Sequence, residues 1–349
     1  MKNIIVVTDP GKDLDDENTL VLASELSRLG VVNLLAVVAV LAPAKKRALL
    51  AKGTLKKVGM GEVPVGIGSD CITKVSANDH EFAGIDYLAA EDEVVNGREL
   101  LVNTLTAAED GSITLLVIAG QTDVAWLFEN HAPLAKAKLE SVVIMGGVKQ
   151  ENDEVLLNAA GFMEPDTGAN NAFDAVAAAT AHRIAQELGI KLVILTREAA
   201  YACAVPRSHY DDLAATGHAV GVKLRNTQRG LIEALWKRTN LPADDAGREG
   251  LPGRCDKTWF INTFAGGKGA DRNGQDSIWD LIQSFFLYDP MTLVAALDDK
   301  KAEFYEPTIV TVGGVNHEVI GVSKNKRGVK DGTACALYIE EKILAGLSR

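Results

Sequence analysis

Ile4-Ile5-Val6-Val7-Thr8-Asp9-Pro10-Gly11-Lys12-Asp13-Leu14-Asp15-Asp16-Glu17 is a short apolar run that breaks, through a Pro-Gly turn, into a burst of acids. Four β-branched residues in a row predict a strand buried on both faces, as in a parallel sheet covered by helices. Past the acids, Leu22, Leu26 and Leu29 recur at helical spacing and Gly30 supplies a stop, so the first crossover helix is expected here. Strand, loop and helix in this order are the opening of an α/β fold.

The same rhythm continues outward. Further short runs at Leu34 to Val40, Val63 to Ile67, Thr114 to Ile118, Ser141 to Met145 and Leu192 to Leu195 alternate with helical patterns. The expectation is an open, mostly parallel central sheet with helices on both faces, formed by residues 1–349 as a single domain. The second half is less regular. A helix is predicted from Leu224 to Arg238, strands from Pro307 to Val322 and a closing helix from Thr333 to Leu347. Between Asn240 and Gln275 lies a stretch rich in Pro, Gly and Asp, read as an irregular, lid-like insertion. Trp259, Phe260 and Trp279, in or beside it, are read chiefly as core, with a stacking wall for an aromatic ligand as the alternative.

Composition narrows the function classes. With 47% apolar residues among 349, the chain can bury a large core. A formal net charge of −11 argues against nucleic acid or an anionic membrane as partner and favours a small neutral or cationic ligand. The apolar run Leu34 to Ala44 is too short to span a bilayer and no signal peptide is evident, so a soluble, cytoplasmic protein is expected. Cys71, Cys203, Cys255 and Cys335 are too scattered for a zinc site or a disulfide framework and are read as reduced thiols.

The chemistry concentrates in the acidic loop. Asp9, Asp13, Asp15, Asp16 and Glu17 place five carboxylates within nine residues, which repel one another unless a cation sits among them. Oxygen ligands without His or Cys select calcium or magnesium, and calcium tolerates the irregular coordination a loop offers. Helix capping by Asp15 or Asp16 is the plainer explanation, but it accounts for only one or two of the acids. Phosphoryl transfer of the haloacid dehalogenase kind also starts from a strand and an aspartate loop. The match is poor, because Val7 stands two places before Asp9 and Pro10-Gly11 follows it.

At these residues the loop resembles the Asp-x-Asp-Pro-Gly-x-Asp-Asp signature of the nucleoside hydrolases, with Val7 at the first aspartate position and two extra residues of spacing. Further segments are similar to that family in the same order: Val63 to Gly68, Leu116 to Ala125, Val142 to Gly147, Asn170 to Asp174, and Tyr288-Asp289-Pro290, where many relatives have His-Asp-Pro. The resemblance implies a calcium-dependent hydrolysis of the N-glycosidic bond of a ribonucleoside. It implies Ca²⁺ held by Asp9, Asp16 and Asp289 and by the backbone carbonyl of Ala119, with Asp9 as base for the attacking water. Asp15 and Asn170 would bind ribose hydroxyls, and whether Asp13 or Asp15 takes the sugar stays open. Tyr288 is the candidate acid for the departing base, with stacking or plain packing as alternatives. His80 falls where relatives carry a loop near the substrate. Gly168 replaces the glutamate that anchors the 5′ hydroxyl, so an altered 5′ pocket is expected, with Asn158, Glu164 or Asp166 supplying the contact. Relatives are commonly dimers or tetramers, which implies a homo-oligomer. Two alternatives remain at this level: another metal-dependent hydrolase, phosphatase-like, and a ribonucleoside-binding protein that has lost catalysis.

Overall fold

The computed structural model describes residues 1–72, 81–82, 84–249 and 251–349. His80 lies outside the described residues. The chain forms two compact units, one comprising Met1–Cys203 with Leu287–Gly346, the other Ala204–Phe286 with Leu347–Arg349.

The first unit opens with β1 (Lys2–Thr8), α1 (Asp15–Arg28), β2 (Val32–Ala39), α2 (Ala44–Lys57), β3 (Val65–Ile67), β4 (Val95–Asn96), α3 (Gly97–Ala107), β5 (Ile113–Val117), α4 (Thr122–Lys138) and β6 (Leu139–Met145). A small hairpin, β7 (Gln150–Glu151) and β8 (Glu154–Val155), precedes α5 (Ala169–Ala172), α6 (Ala175–Leu188), β9 (Lys191–Leu195) and α7 (Arg197–Ala200). In the second unit, β10 (Ala204–Pro206) pairs with β11 (Ser284–Phe286), and α8 (Ser208–Ala215), α9 (Ala219–Thr239) and α10 (Lys257–Phe264) lie between them in sequence. The chain then completes the first unit with α11 (Tyr288–Ala295), α12 (Asp298–Phe304), β12 (Thr308–Val312), β13 (Val315–Ile320) and α13 (Gly332–Leu347).

Nine strands form one sheet in the order β12-β13-β9-β6-β5-β1-β2-β3-β4. All neighbours are parallel except β12 and β13, an antiparallel pair at one edge. Ile4, Ile5, Val6 and Val7 are fully buried, as the unbroken run predicts for a strand covered on both faces. From β1 the chain winds one way through β2, β3 and β4, and the other way through β5, β6 and β9. The winding therefore reverses between β1 and β5, where the loops after the two strands part and leave a crevice at their carboxyl ends. The acidic loop follows β1 at this point.

The stretch from Asn240 to Gln275 is more ordered than a loop. It holds a 3₁₀ turn at Ala246–Arg248 and the helix α10, and the second unit has a core of its own. Phe260 is fully buried with its ring centroid 5.1 Å from that of Trp236, and Trp279 stacks on Phe285 at 5.9 Å. These aromatics are core, in keeping with the first of the two readings. The apolar spacing that identifies α9 is strong, whereas α10 has only two turns and is obscured by its Gly-rich flanks. Among the described residues no helix is long and apolar enough to cross a membrane.

Candidate functional site

The acidic loop is shaped by its turn and by one buried arginine. Gly11 sits at φ +94°, and a Cβ there would lie 3.2 Å from the Phe82 ring and 3.3 Å from the Glu81 carbonyl, so both the conformation and the space call for glycine. Arg47, on α2 and without solvent exposure, donates to the carbonyls of Asp9 (3.3 Å), Pro10 (3.1 Å), Leu41 (3.0 Å) and Ala42 (2.9 Å). Its remaining charge meets the buried Glu81 carboxylate at 2.7 Å. Arg47 thus ties the loop after β1 to the loop after β2.

The carboxylates converge above the ends of β1 and β5. Asp16 Oδ1 accepts the Asp9 N–H at 2.9 Å and the Thr8 hydroxyl. Asp15 Oδ2 accepts the backbone N–H groups of Tyr288 at 3.1 Å and Asp289 at 3.3 Å, drawing the start of α11 against the start of α1. Carboxylate oxygens of Asp15, Asp16 and Asp289, all buried, lie within 4.8 Å of one another. Buried Asp9 Oδ2 has no hydrogen-bond partner among the described residues. The capping explanation fails: the N-cap of α1 is Leu14, and no side chain caps the helix.

Electrostatics make this cluster costly as it stands. Burial, then the charge of Asp13, push the Asp9 carboxyl up to about 8. Burial raises Asp15, Asp16 and Asp289 well above the usual carboxylate range, with further repulsion chiefly from Asp13, Asp9 and Asp15 respectively. An orphaned buried oxygen beside three mutually repelling carboxylates fits a hard divalent cation, and the all-oxygen donor set excludes a soft one.

These residues line a cavity of about 320 Å³ together with Asp13, Ile118, Met145, Gly146, Asp166, Gly168, Ala169, Asn170, Arg197, Tyr201 and Tyr288. Ala119 is buried directly after the lining residue Ile118, at the end of β5. Asn170, at the start of α5, donates to the Met145 carbonyl at 3.1 Å. The motif aspartate four residues on, Asp174, caps α6 by accepting the Ala177 N–H at 3.0 Å, and so serves the fold. Tyr288 meets Tyr201 edge-on, with centroids 6.3 Å apart. Burial, then Tyr201 and Asp15, push the Tyr288 phenol well above its ordinary value, so it stays protonated throughout the neutral range.

The three residues named for the 5′ side part company. Asp166 lines the cavity, with Oδ1 accepting the Gly168 N–H at 2.8 Å and the Asn171 amide at 3.0 Å. Gln121 fixes Asn171 in turn at 2.8 Å. Asn158 and Glu164 do not line the cavity. Asn158 closes a turn by accepting the N–H groups of Ala160 and Phe162, and Glu164 takes Lys149 at 2.7 Å and the Asn158 amide at 3.1 Å. The acid two residues before Gly168, not the more distant pair, is the one brought to the site.

Sequence reading missed Arg197 and Tyr201, which line the cavity from α7, and Arg47, which clamps the loop from behind. Arg197 was within reach, because it follows the β9 run directly and ligand sites lie at carboxyl ends of strands. Arg47 carries no such signal, since its partners are backbone carbonyls distant in sequence.

An α/β sheet whose winding reverses beneath an acidic, ion-suited cavity defines a class of proteins that hold small polar molecules at a sheet's carboxyl edge. The chain belongs to the inosine-uridine preferring nucleoside hydrolase family, whose profile it matches over residues 4–338. It is similar to the type III effector protein XopQ, solved in complex with adenosine diphosphate ribose, at 31% identity and a TM-score of 0.85, covering 99% of this chain and 94% of that one. The effector protein XOO4466 is similar at 31% identity, a TM-score of 0.83 and the same coverage. A plant nucleoside hydrolase, PpNRh1, shares the fold at 17% identity and a TM-score of 0.61 over 99% of both chains. No curated protein matches the chain.

Proposed function

We propose that the protein hydrolyses the N-glycosidic bond of a ribonucleoside, with calcium held by Asp9, Asp16 and Asp289 and by the Ala119 carbonyl. One observation carries this reading: the buried cluster of Asp15, Asp16 and Asp289 beside the orphaned Asp9 oxygen, at the switch point of the sheet of a nucleoside hydrolase family member. Calcium bound there would neutralise the cluster and orient a vicinal diol and a water.

The chain's own residues supply the remaining steps. Cleavage at C1′ develops oxocarbenium character, which the surrounding carboxylates favour. Asp9 Oδ2 takes the proton of the attacking water. Asp15 and Asn170 accept and donate hydrogen bonds to the ribose hydroxyls and hold the ring over the acids, while Asp13 lies at the more exposed rim. The Tyr288 hydroxyl faces the departing base as a protonated donor, and its ring with Tyr201 forms an aromatic wall. Binding without turnover is the second reading, favoured by the effector neighbour solved with adenosine diphosphate ribose and by a tyrosine where many relatives have histidine.

The two separate in one assay. Purified full-length protein is incubated with inosine, uridine, adenosine and nicotinamide riboside, and free ribose is measured with calcium and with a chelator. Calcium-dependent ribose release supports hydrolysis. Calcium-dependent riboside binding with no release supports the second reading, and release unaffected by the chelator overturns the ion's role.

A further inference from the structure

The loop and α11 acids Asp9, Asp13, Asp15, Asp16 and Asp289 line the cavity along with Asp166, and a single cation lines it among the described residues: Arg197, the first residue of α7. Its guanidinium is not engaged by the acidic cluster. Among the described residues its one ion pair is a 3.8 Å approach to Glu198, its neighbour in the chain, and 62% of the side chain is exposed. β9, which delivers Arg197, stands three places from β1 in the sheet, about 14 Å at ordinary strand spacing. A spacing of this order between the acidic loop and the start of α7 leaves room for a ribose with a phosphoryl group on its C5′.

Small residues, Gly146, Gly168 and Ala169, line part of the cavity, and a Cβ at Gly168 would meet Asp166 Oδ1 at 3.0 Å, so a longer side chain there displaces Asp166. The Asp166 carboxylate has Oδ1 already held by the Gly168 N–H and the Asn171 amide, which offsets part of its repulsion of an anion. A neutral nucleoside makes no use of a guanidinium at this place.

We infer that the site selects ribose carrying a 5′-phosphoryl group, a nucleoside monophosphate or a nucleoside diphosphate sugar, with Arg197 as the receptor of the phosphoryl oxygens. This specificity rests on the diol-over-cation part of the proposed function, and not on turnover. Arg197 determines specificity and takes no part in bond cleavage.

The test measures dissociation constants by calorimetry for the full chain with calcium, using adenosine, AMP and ADP-ribose, on the wild type, Arg197→Gln and Arg197→Lys. AMP or ADP-ribose is expected to bind about tenfold more tightly than adenosine at low salt, the value of one charge-assisted contact. Arg197→Gln is expected to erase that preference while leaving adenosine binding unchanged, and Arg197→Lys to keep part of it. AMP alone or ADP-ribose alone showing the effect identifies which source the site fits. Equal binding of adenosine and both phosphorylated ligands, or a preference that survives Arg197→Gln, overturns the inference. If adenosine is hydrolysed without any phosphate preference, the inference falls and the hydrolase reading stands. An Arg197-dependent preference without hydrolysis leaves the inference standing and removes turnover.

Discussion

Asp15 holds Asp289 in place: its Oδ2 accepts the Asp289 N–H at 3.3 Å and the Tyr288 N–H at 3.1 Å, joining the start of α1 to the start of α11 across most of the chain. A carboxylate at the first turn of a helix finds free backbone N–H groups and the positive end of the helix dipole, so α11 is a natural partner for Asp15. The contact brings the Asp289 carboxylate to within 4.8 Å of Asp15 and Asp16, an arrangement whose repulsion a bound cation would relieve.

Asp289→Asn removes one charge while keeping the side chain's volume. Calcium affinity is expected to fall by roughly a hundredfold or more, because a charged oxygen becomes a neutral one in a buried site. The ion-free protein is expected to melt no lower than wild type, since the change relieves repulsion. Calorimetric titration with calcium and thermal unfolding in chelator measure the two quantities. Unchanged calcium affinity would place the ion elsewhere.

Arg47 tests the loop from behind. Arg47→Ala removes the 2.7 Å ion pair with the buried Glu81 carboxylate and the hydrogen bonds to the carbonyls of Asp9, Pro10, Leu41 and Ala42. A loss of about 3–5 kcal/mol is expected in denaturant unfolding. Arg47→Lys keeps the charge but not the fork of donors, and is expected to fold with weakened calcium binding and little change elsewhere.

Much of this arrangement was legible in the sequence, for a physical reason. A strand buried on both faces is continuously apolar, and acids crowded beyond any capping need point to a cation site, so β1 and its loop stand out in the sequence. The β9 run follows the same logic, whereas β12 and β13, at one edge of the sheet, are only partly buried and mix polar with apolar residues. What stayed hidden is contact between distant parts of the chain. The duties of Asn158 and Glu164 in a turn, the approach of Arg197 and the clamp of Arg47 depend on which loops fold beside one another, and periodicity along the sequence carries no record of that.

His182 and His317 are both buried, and burial brings each imidazole down to about 4, with the charge of His317 adding to the effect at His182 and that of Lys191 at His317. A folded value below the unfolded one near 6.5 means that the neutral form belongs to the folded state. The stabilisation is full above pH 6.5 and is lost as pH falls toward 4. For His182 the loss across that window is about 3 kcal/mol. His182→Leu is expected to flatten the decline between pH 6.5 and 4 relative to wild type in urea unfolding; parallel curves would show that His182 is not the titrating group.

Tyr288→Phe keeps the ring against Tyr201 and the backbone N–H to Asp15, and removes only the hydroxyl. If that hydroxyl donates to the departing base, kcat is expected to fall about a hundredfold with KM and calcium affinity unchanged. Unchanged kcat removes Tyr288 from the acid role and leaves stacking or packing for its ring.

A Cβ on Gly147 would lie 2.2 Å from Oδ2 of the cavity-lining Asp166. Because the Asp166 side chain is also tied to Gly168 and Asn171, it cannot swing aside without breaking those bonds. Gly147→Ala is therefore expected to cost about 2 kcal/mol in unfolding free energy and to weaken ligand binding. In the Asp166→Gly background no carboxylate obstructs the alanine, so its added cost should be small, even though Asp166→Gly itself loses stability and ligand affinity. Additive losses in the double variant would mean that the two residues do not meet.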